Sequence, residues 1–251
     1  MEGERYLRSR SSESELYDRY FAVVLADTPA LLDAAHALRY QVYCVEHAFE
    51  DPVQQVGERE RDQCDGQSVH SVLVSKLPGT VVGCVRLILP KPGGACASLP
   101  IRKLLSGADR ARLDTFGIER TAEISRYAIA KRYRRRPGEN EYPDVESTDP
   151  TVLEFRRLAP HMSLGLIRGV CLLAARHNID TVCAAMSLPL LRLLERFGLV
   201  FEQLGPVIDY HGRRQPCVAE CKQLLAGLGE CNQDFYRLVT EASRHAADPL
   251  H

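Results

Sequence analysis

Apolar residues recur along this chain in two periods, and the alternation between the periods sketches its elements. Residues 20–26 (YFAVVLA) form a short β-branched run that predicts a strand. Asp27-Thr28-Pro29 follows with the chemistry of a helix start. Leu31, Leu32, Ala35, Leu38, Val42 and Val45 then return every three or four residues, the stripe of an amphipathic helix. A polar stretch over residues 49–66 reads as loop. Residues 69–75 and 80–89 read as an antiparallel hairpin, because Pro78-Gly79 between them is a turn signal. A Gly/Pro-rich loop (90–97), a short helical stretch (101–105) and a strand (about 122–130) come next.

Residues 131–150 break the pattern: strongly charged, with three prolines and almost no apolar side chains, they read as a surface insertion. Beyond it, Leu164, Ile167, Val170, Cys171 and Ala174 mark one face of a helix within 152–177. Residues 181–186 predict a buried strand, and 187–197 a helix capped by Ser187 and stopped by Gly198. Two strands, 201–210 and 215–221, flank a His211-Gly212-Arg213-Arg214 turn, and a terminal helix is expected over 233–244. The order predicts an α+β fold: a mixed, mostly antiparallel sheet with helices on both faces and one parallel strand-helix-strand unit within 122–186. One domain is expected over 20–251, behind a flexible polar lead-in at 1–19.

Composition narrows the function classes. A formal net charge of -1 gives no global preference for nucleic acid, so any electrostatic partner site is local. The first nineteen residues lack an apolar h-region, and no apolar run approaches the roughly 20 residues a membrane span needs. The nine cysteines are odd in number, scattered and without a C-x-x-C pair, which points to reduced thiols and a cytoplasmic protein.

Several clusters carry candidate chemistry. Arg39, Tyr43 and Glu46 share a helical face, either lining a site or forming a solvated edge. Glu60, Asp62 and Asp65 repel one another unless a cation answers them, and Arg86, in the middle of an apolar strand, needs a carboxylate if buried. An ordinary acidic loop and a metal site are the other readings of that cluster. In AEISRYAIA, alternation points Glu123 and Ser125 to one face and Arg126 to the other unless a bulge resets the pattern. Glu123 is then either a base toward an amine or half of a structural ion pair. Lys131, Arg132, Arg134, Arg135 and Arg136 make a local basic patch, suited to a phosphate-bearing or acidic partner or simply solvated. Few aromatics interleave with it, so no nucleic acid is expected.

Taken together, Arg39, Tyr43, Phe49, Glu60-x-Asp62-x-x-Asp65, His70, Gly83-x-x-Arg86-Leu87 and Glu123-x-Ser125-Arg126 resemble the acyl-homoserine-lactone autoinducer synthases across about ninety residues. Residues 187–199 (SLPLLRLLERFGL) are similar to the late helix of GNAT acyltransferases. Residues 209–217 (DYHGRRQPC) look like long-chain N-acyl amino acid synthases and the acyltransferases of PEP-CTERM/exosortase loci. The resemblance implies a three-layer GNAT-like fold and an N-acyltransferase that moves a fatty acyl group onto the amine of an amino acid or similar small molecule. It implies Glu123, Ser125 and Arg126 as catalytic residues and Arg39, Tyr43, Phe49, Asp62, Asp65 and Arg86 around the amine. The usual Gly-rich pyrophosphate loop is replaced by the charged insertion, which favours acyl-phosphopantetheine on an acyl carrier protein over coenzyme A. No resident cofactor or metal is expected. A homoserine-lactone synthase using S-adenosylmethionine, and a non-catalytic acyl-carrier or lipid-binding module, are the alternatives.

Overall fold

The computed structural model describes residues 12–77, 79–91, 99–133, 158 and 161–241. Helix α1 (Glu13–Tyr20) starts at a reciprocal cap, in which the Ser12 side chain accepts from the Glu15 N–H and the Glu15 carboxylate takes the Ser12 N–H. Leu16, Tyr17 and Tyr20 bury its inner face. The expected lead-in is therefore corrected over 13–19, which pack as helix; residues 1–11 lie outside the described residues.

Strand β1 (Phe21–Leu25) leads to helix α2 (Pro29–Tyr40), capped by Thr28 with Pro29 in its first turn. The predicted helix continues as a π-helical segment, Gln41–Glu46. Strands β2 (Ser68–Ser75) and β3 (Thr80–Ile88) form the expected hairpin. A 3-10 turn at Pro100–Leu104 precedes helix α3 (Gly107–Asp114), an element missed by the periodicity because its mean character is polar. Strand β4 (Thr121–Ile129), helix α4 (Met162–Arg176) and strand β5 (Thr181–Ser187) form the parallel unit. Helix α5 (Leu188–Glu195) is capped by Ser187 as anticipated. The predicted 201–210 strand is two short pieces, β6 (Glu202–Gln203) and β7 (Ile208–Asp209), because Gly205-Pro206 interrupts it. Strand β8 (Arg213–Glu220) is followed by helix α6 (Cys221–Cys231), also unanticipated, and helix α7 (Gln233–Thr240). Of the charged insertion, only Lys131–Tyr133, a 3-10 turn, is described.

The eight strands form one mixed sheet in the order β1-β2-β3-β4-β5-β8-β6, with β7 on the far end of β8. Among the described residues only β4 and β5 run parallel, and they pair for three residues, Thr121–Thr181 to Glu123–Cys183, before parting. The main core lies on the face covered by α1, α4 and the C-terminal helices, where Leu73, Val85, Leu87, Ile124, Leu166, Val182 and Leu224 meet. On the other face, α2 packs Leu31, Ala35 and Leu38 on Val72, Cys84 and Ala128, while Ile101, Leu105 and Leu113 cover Ile88, Cys183 and Val218. The mixed sheet with helices on both faces is the predicted GNAT-like α+β fold.

Gly198 closes α5 at a φ of 81°, and an added Cβ would lie 2.3 Å from the Gly227 carbonyl oxygen of α6. Gly198→Ala is therefore expected to cost about 3 kcal/mol, from the left-handed backbone and the clash together. Gly107→Ala, where a Cβ meets nothing within 4 Å, should stay within about 0.5 kcal/mol of wild type. Urea midpoints of the two variants check the difference.

Candidate functional site

Three arginines from three elements converge on the α2 face of the sheet. Arg39 is the penultimate residue of α2 and is wholly buried. Its Nε donates to Glu60 Oε2 at 2.5 Å, and its Nη1 and Nη2 reach Asp65 Oδ1 and Oδ2 at 2.6 and 3.1 Å. Arg86 on β3 gives Nη1 to Asp62 Oδ1 (2.7 Å) and Asp65 Oδ1 (2.8 Å), and Nε to Ser125 Oγ (2.8 Å). Arg126 on β4 gives Nη2 to Glu60 Oε1 (2.9 Å) and Glu50 Oε1 (3.1 Å), with Asp62 Oδ2 3.0 Å away. The acidic 47–66 loop is thus stitched to the sheet, and its carboxylates answer the arginines that the apolar pattern left unpaired.

Arg126 reaches this face because β4 bulges. Between the Cys84–Ala128 and Arg86–Ser125 pairs, Val85 alone faces two residues of β4, and Arg126 has a φ of 48°. Ser125 and Arg126 consequently share a face with Glu123, which corrects strict alternation in the way a bulge requires. The Arg126 guanidinium lies 5.1 Å from the centre of the Tyr43 ring, and Tyr43 O accepts the N–H groups of Phe49 and Glu50, at 2.7 and 3.2 Å, fixing the loop start.

The carboxylates divide into two electrostatic classes. Burial pushes Glu60 up, but hydrogen bonds from Arg126 and Arg39 hold it below the usual carboxylate range. Asp62 and Asp65 are likewise opposed by burial and pulled down, by Arg86 in the first case and by His70 and Arg39 in the second. Glu123 goes the other way. It forms no ion pair among the described residues, accepts the Ile101 N–H at 2.8 Å, and is pushed by burial up to about 7. It sits at the last residue of β4 that still pairs with β5, facing Cys183, where the two strands part.

Other residues have less to do with this centre. Glu46 accepts the Lys131 N–H, and the Arg132 guanidinium lies over Tyr133; Arg134, Arg135 and Arg136 lie outside the described residues. Cys64 is disulfide-bonded, which corrects the expectation that all thiols are reduced. Burial raises the Cys183 thiol well above its ordinary range, so it stays protonated beside Glu123. His36, Asp65 and His70 bring donor atoms within 4.8 Å of one another. Arg39 Nη1 lies 3.2 Å from His70 Nε2, however, and Arg61 Nε 3.2 Å from His36 Nδ1, so a metal cation there would meet two guanidiniums. Burial lowers His36 to about 4. Glu50 and His36 were missed by sequence reasoning, and Glu60 was left out of the binding set; the signal for Glu60 and Glu50 was the surplus of buried arginine on the predicted strands.

Residues 38–141 match the acetyltransferase (GNAT) domain. No curated protein matches the chain. Among solved structures, the AHL synthase LasI is 17% identical, with 83% of this chain and 96% of that chain covered at a TM-score of 0.54. FeeM, an N-acyl amino acid synthase from uncultured soil microbes, is 16% identical, with 82% and 93% covered at 0.55. BjaI, a CoA-dependent acyl-homoserine lactone synthase with SAM and isopentyl-CoA, is 16% identical, with 84% and 88% covered at 0.51. At these identities the likeness is one of fold. No helix among the described residues is long and apolar enough to cross a membrane.

Glu60→Gln is expected to destabilise the protein by about 3–5 kcal/mol, since it leaves two buried guanidiniums short of a counter-charge. The depressed carboxylates hold stability above their unfolded values and lose it as pH falls through the folded ones. His36, lowered to about 4, adds a loss between roughly pH 6.5 and 4. The His36 loss is common to wild type and Glu60→Gln, whereas the Glu60 loss lies below about 4.5, so the gap between their thermal melts should be full at pH 7 and narrow as pH falls from about 4.5 to 3.

Proposed function

We propose that this protein, an N-acyltransferase of the GNAT type, moves a fatty acyl group from the thioester of an acyl carrier protein to the amine of an amino acid or similar small molecule, with Glu123 as the base. The observation that carries the reading is the place of Glu123: buried, raised to about 7, and set where β4 and β5 part. A group that titrates near neutral pH is half in its basic form there and still basic enough to take a proton from an amine.

The steps follow from the residues present. The ammonium of the acceptor gives its proton to the Glu123 carboxylate, directly or through water. The freed nitrogen lone pair attacks the thioester carbon, and the carbonyl π pair moves to oxygen. From Ile124 onward the β5 side of β4 is unpaired, so N–H groups of Ile124, Ser125 or Arg126 that face the gap are placed to hold that oxyanion. Collapse re-forms the carbonyl and expels the thiolate. The proton still on nitrogen and the one on Glu123 go to the thiolate and to solvent, leaving amide and thiol. The protonated Cys183 takes no part as a nucleophile. Ser125 positions Arg86 and Arg126 positions Glu60, so both act on the site through the ionic cluster.

The carrier protein as donor rests on the basic patch, of which Lys131 and Arg132 are exposed close to the C-terminal end of β4. BjaI is CoA-dependent, so the same acyl group offered on carrier protein and on coenzyme A separates the donors, with the larger kcat/KM expected for the carrier. The likeness to acyltransferases of PEP-CTERM/exosortase loci rests on residues 209–217 alone and adds no step.

Expression with acyl carrier protein, followed by mass spectrometry of extracted lipids, should show a new N-acyl amine that disappears with Glu123→Gln. No new product, or a product indifferent to that change, would sink the reading; an N-acyl lactone would replace it with lactone synthesis. In vitro, kcat/KM is expected to rise with pH through about 7, and Glu123→Gln to lose about 10²–10⁴-fold. The same substitution tests the burial. A carboxyl raised in the folded state contributes stability fully below about 4.5 and loses it as pH rises through about 7. Glu123→Gln should thus gain on wild type by about 2–3 kcal/mol between pH 5 and 8.

A further inference from the structure

Arg214 is a half-buried arginine that stands outside the ionic cluster. It lies on β8 opposite Ser187, four residues from the Val218–Cys183 pair, so it shares the face of Cys183 and of Glu123 beside it. Its Nε donates to Tyr210 O at 3.2 Å and its Nη2 to His211 O at 2.9 Å. The guanidinium carbon lies 5.8 Å from the centre of the Phe49 ring, against which His211 also packs at 5.5 Å. The turn that supplies these carbonyls is held in left-handed backbone, with a φ of 49° at His211 and 88° at Gly212. Two carbonyls and an aromatic face orient this cation without neutralising it, and Nη1 has no acceptor among the described residues. Arg39, Arg86 and Arg126, by contrast, are each taken by carboxylates of the protein.

The Phe49 contact also spans the fold. Phe49 belongs to the loop after α2, next to Glu50, which pairs with Arg126 on β4; Arg214 belongs to the β5–β8 half. The two meet across the gap that opens where β4 and β5 part. On the β4 side the cluster sets Glu50, Glu60, Asp62 and Asp65 against three guanidiniums, an excess of negative charge, and the side chains of Glu50 and Asp62 keep 29% and 26% exposure. One rim is anionic and the other carries an oriented guanidinium that no carboxylate among the described residues answers. Glu123 and Arg214 stand four residues, about 13 Å, apart along the strands and two strand spacings, about 10 Å, apart across the sheet, a diagonal that their side chains and a small amino acid between them bridge.

Resting on the reading of acyl transfer to an amine, we propose that Arg214, held on Phe49 by the Tyr210-His211 turn, is the carboxylate-binding residue of the acceptor site and selects zwitterionic amino acids over neutral-ended amines. The acceptor lies with its ammonium toward Glu123 and the anionic rim, and its carboxylate on Arg214, whose planar fork matches two oxygens.

The test uses binding as well as turnover. Calorimetric titration of the full chain with N-dodecanoylglycine and with its neutral primary amide should show the acid binding wild type about thirtyfold more tightly, a difference of ~2 kcal/mol. Arg214→Gln should abolish that preference while leaving amide affinity within about twofold, and Arg214→Lys should retain part of it. In turnover, Arg214→Gln should raise KM for an amino-acid acceptor at least tenfold with kcat changed less than threefold. Equal binding of acid and amide by wild type overturns the proposal, and this comparison needs no variant to fold. So does an Arg214→Gln protein that melts like wild type and keeps the preference. If no amine is acylated but the Arg214-dependent preference persists, acyl transfer fails and the carboxylate site stands.

Discussion

The Arg39–Glu60–Arg126 contact is the constraint on which this face of the molecule depends. Arg39 and Glu60 are both fully shielded from solvent, an arrangement that holds only while each charge keeps its partner. A buried ion pair adds little net stability compared with an apolar pair of the same size. What it supplies is position: α2, the 47–66 loop, β3 and β4 are held in one register by hydrogen bonds that tolerate no slippage. The same lattice keeps the sheet face polar where an apolar face would close over the gap between β4 and β5.

That lattice also explains why Glu123 differs from its neighbours. Five carboxylates lie on or near this face, and those in ion pairs with the arginines include Glu50, Glu60, Asp62 and Asp65. Because the arginines are already committed, Glu123 receives one backbone N–H and otherwise only the cost of burial. Neighbouring carboxylates whose surroundings push them in opposite directions are the arrangement by which one fold keeps some acids permanently charged and another available for proton transfer. Removing Arg86 or Arg126 would thus change Glu123 as well as the loop, since each guanidinium pulls Glu123 down and the acid left unpaired would push it further up.

Much of this was legible in the residues, and the failures have identifiable physical causes. The β2–β3 hairpin, the Ser187 cap and the α2 stripe follow from local turn and capping chemistry, which needs no tertiary information. The Ser12–Glu15 capping box was equally local, and α1 was lost because its polar surroundings outweighed it. Helix α6 was obscured by its two glycines, and the 201–210 run was split by Gly205-Pro206. The site was legible as residue types: arginines on apolar strands and acids in the loop. It was not legible as pairings, because Arg39 reads as a helix edge until Glu60 and Asp65 are placed on it. The side of β4 occupied by Arg126 depended on a bulge that alternation alone does not reveal. Arg214 was counted only as part of a turn, since its significance lies in having no ion-pair partner among the described residues, which only the three-dimensional arrangement reveals.

The strength of the base bears on the acceptor. An ordinary glutamate, near 4.3, lies about six units below a lysine-type amine; at about 7 that gap narrows to about three. Each unit is worth about 1.4 kcal/mol, so the burial of Glu123 removes about 4 kcal/mol from the uphill step of taking a proton from an ammonium. That gain applies to any amine, so the choice among amines falls to the groups around Glu123, the guanidinium on the opposite rim among them. Two features of independent origin, the burial of Glu123 where β4 and β5 part and the turn that orients Arg214, thus divide the acceptor between them, one taking its proton and the other its carboxylate.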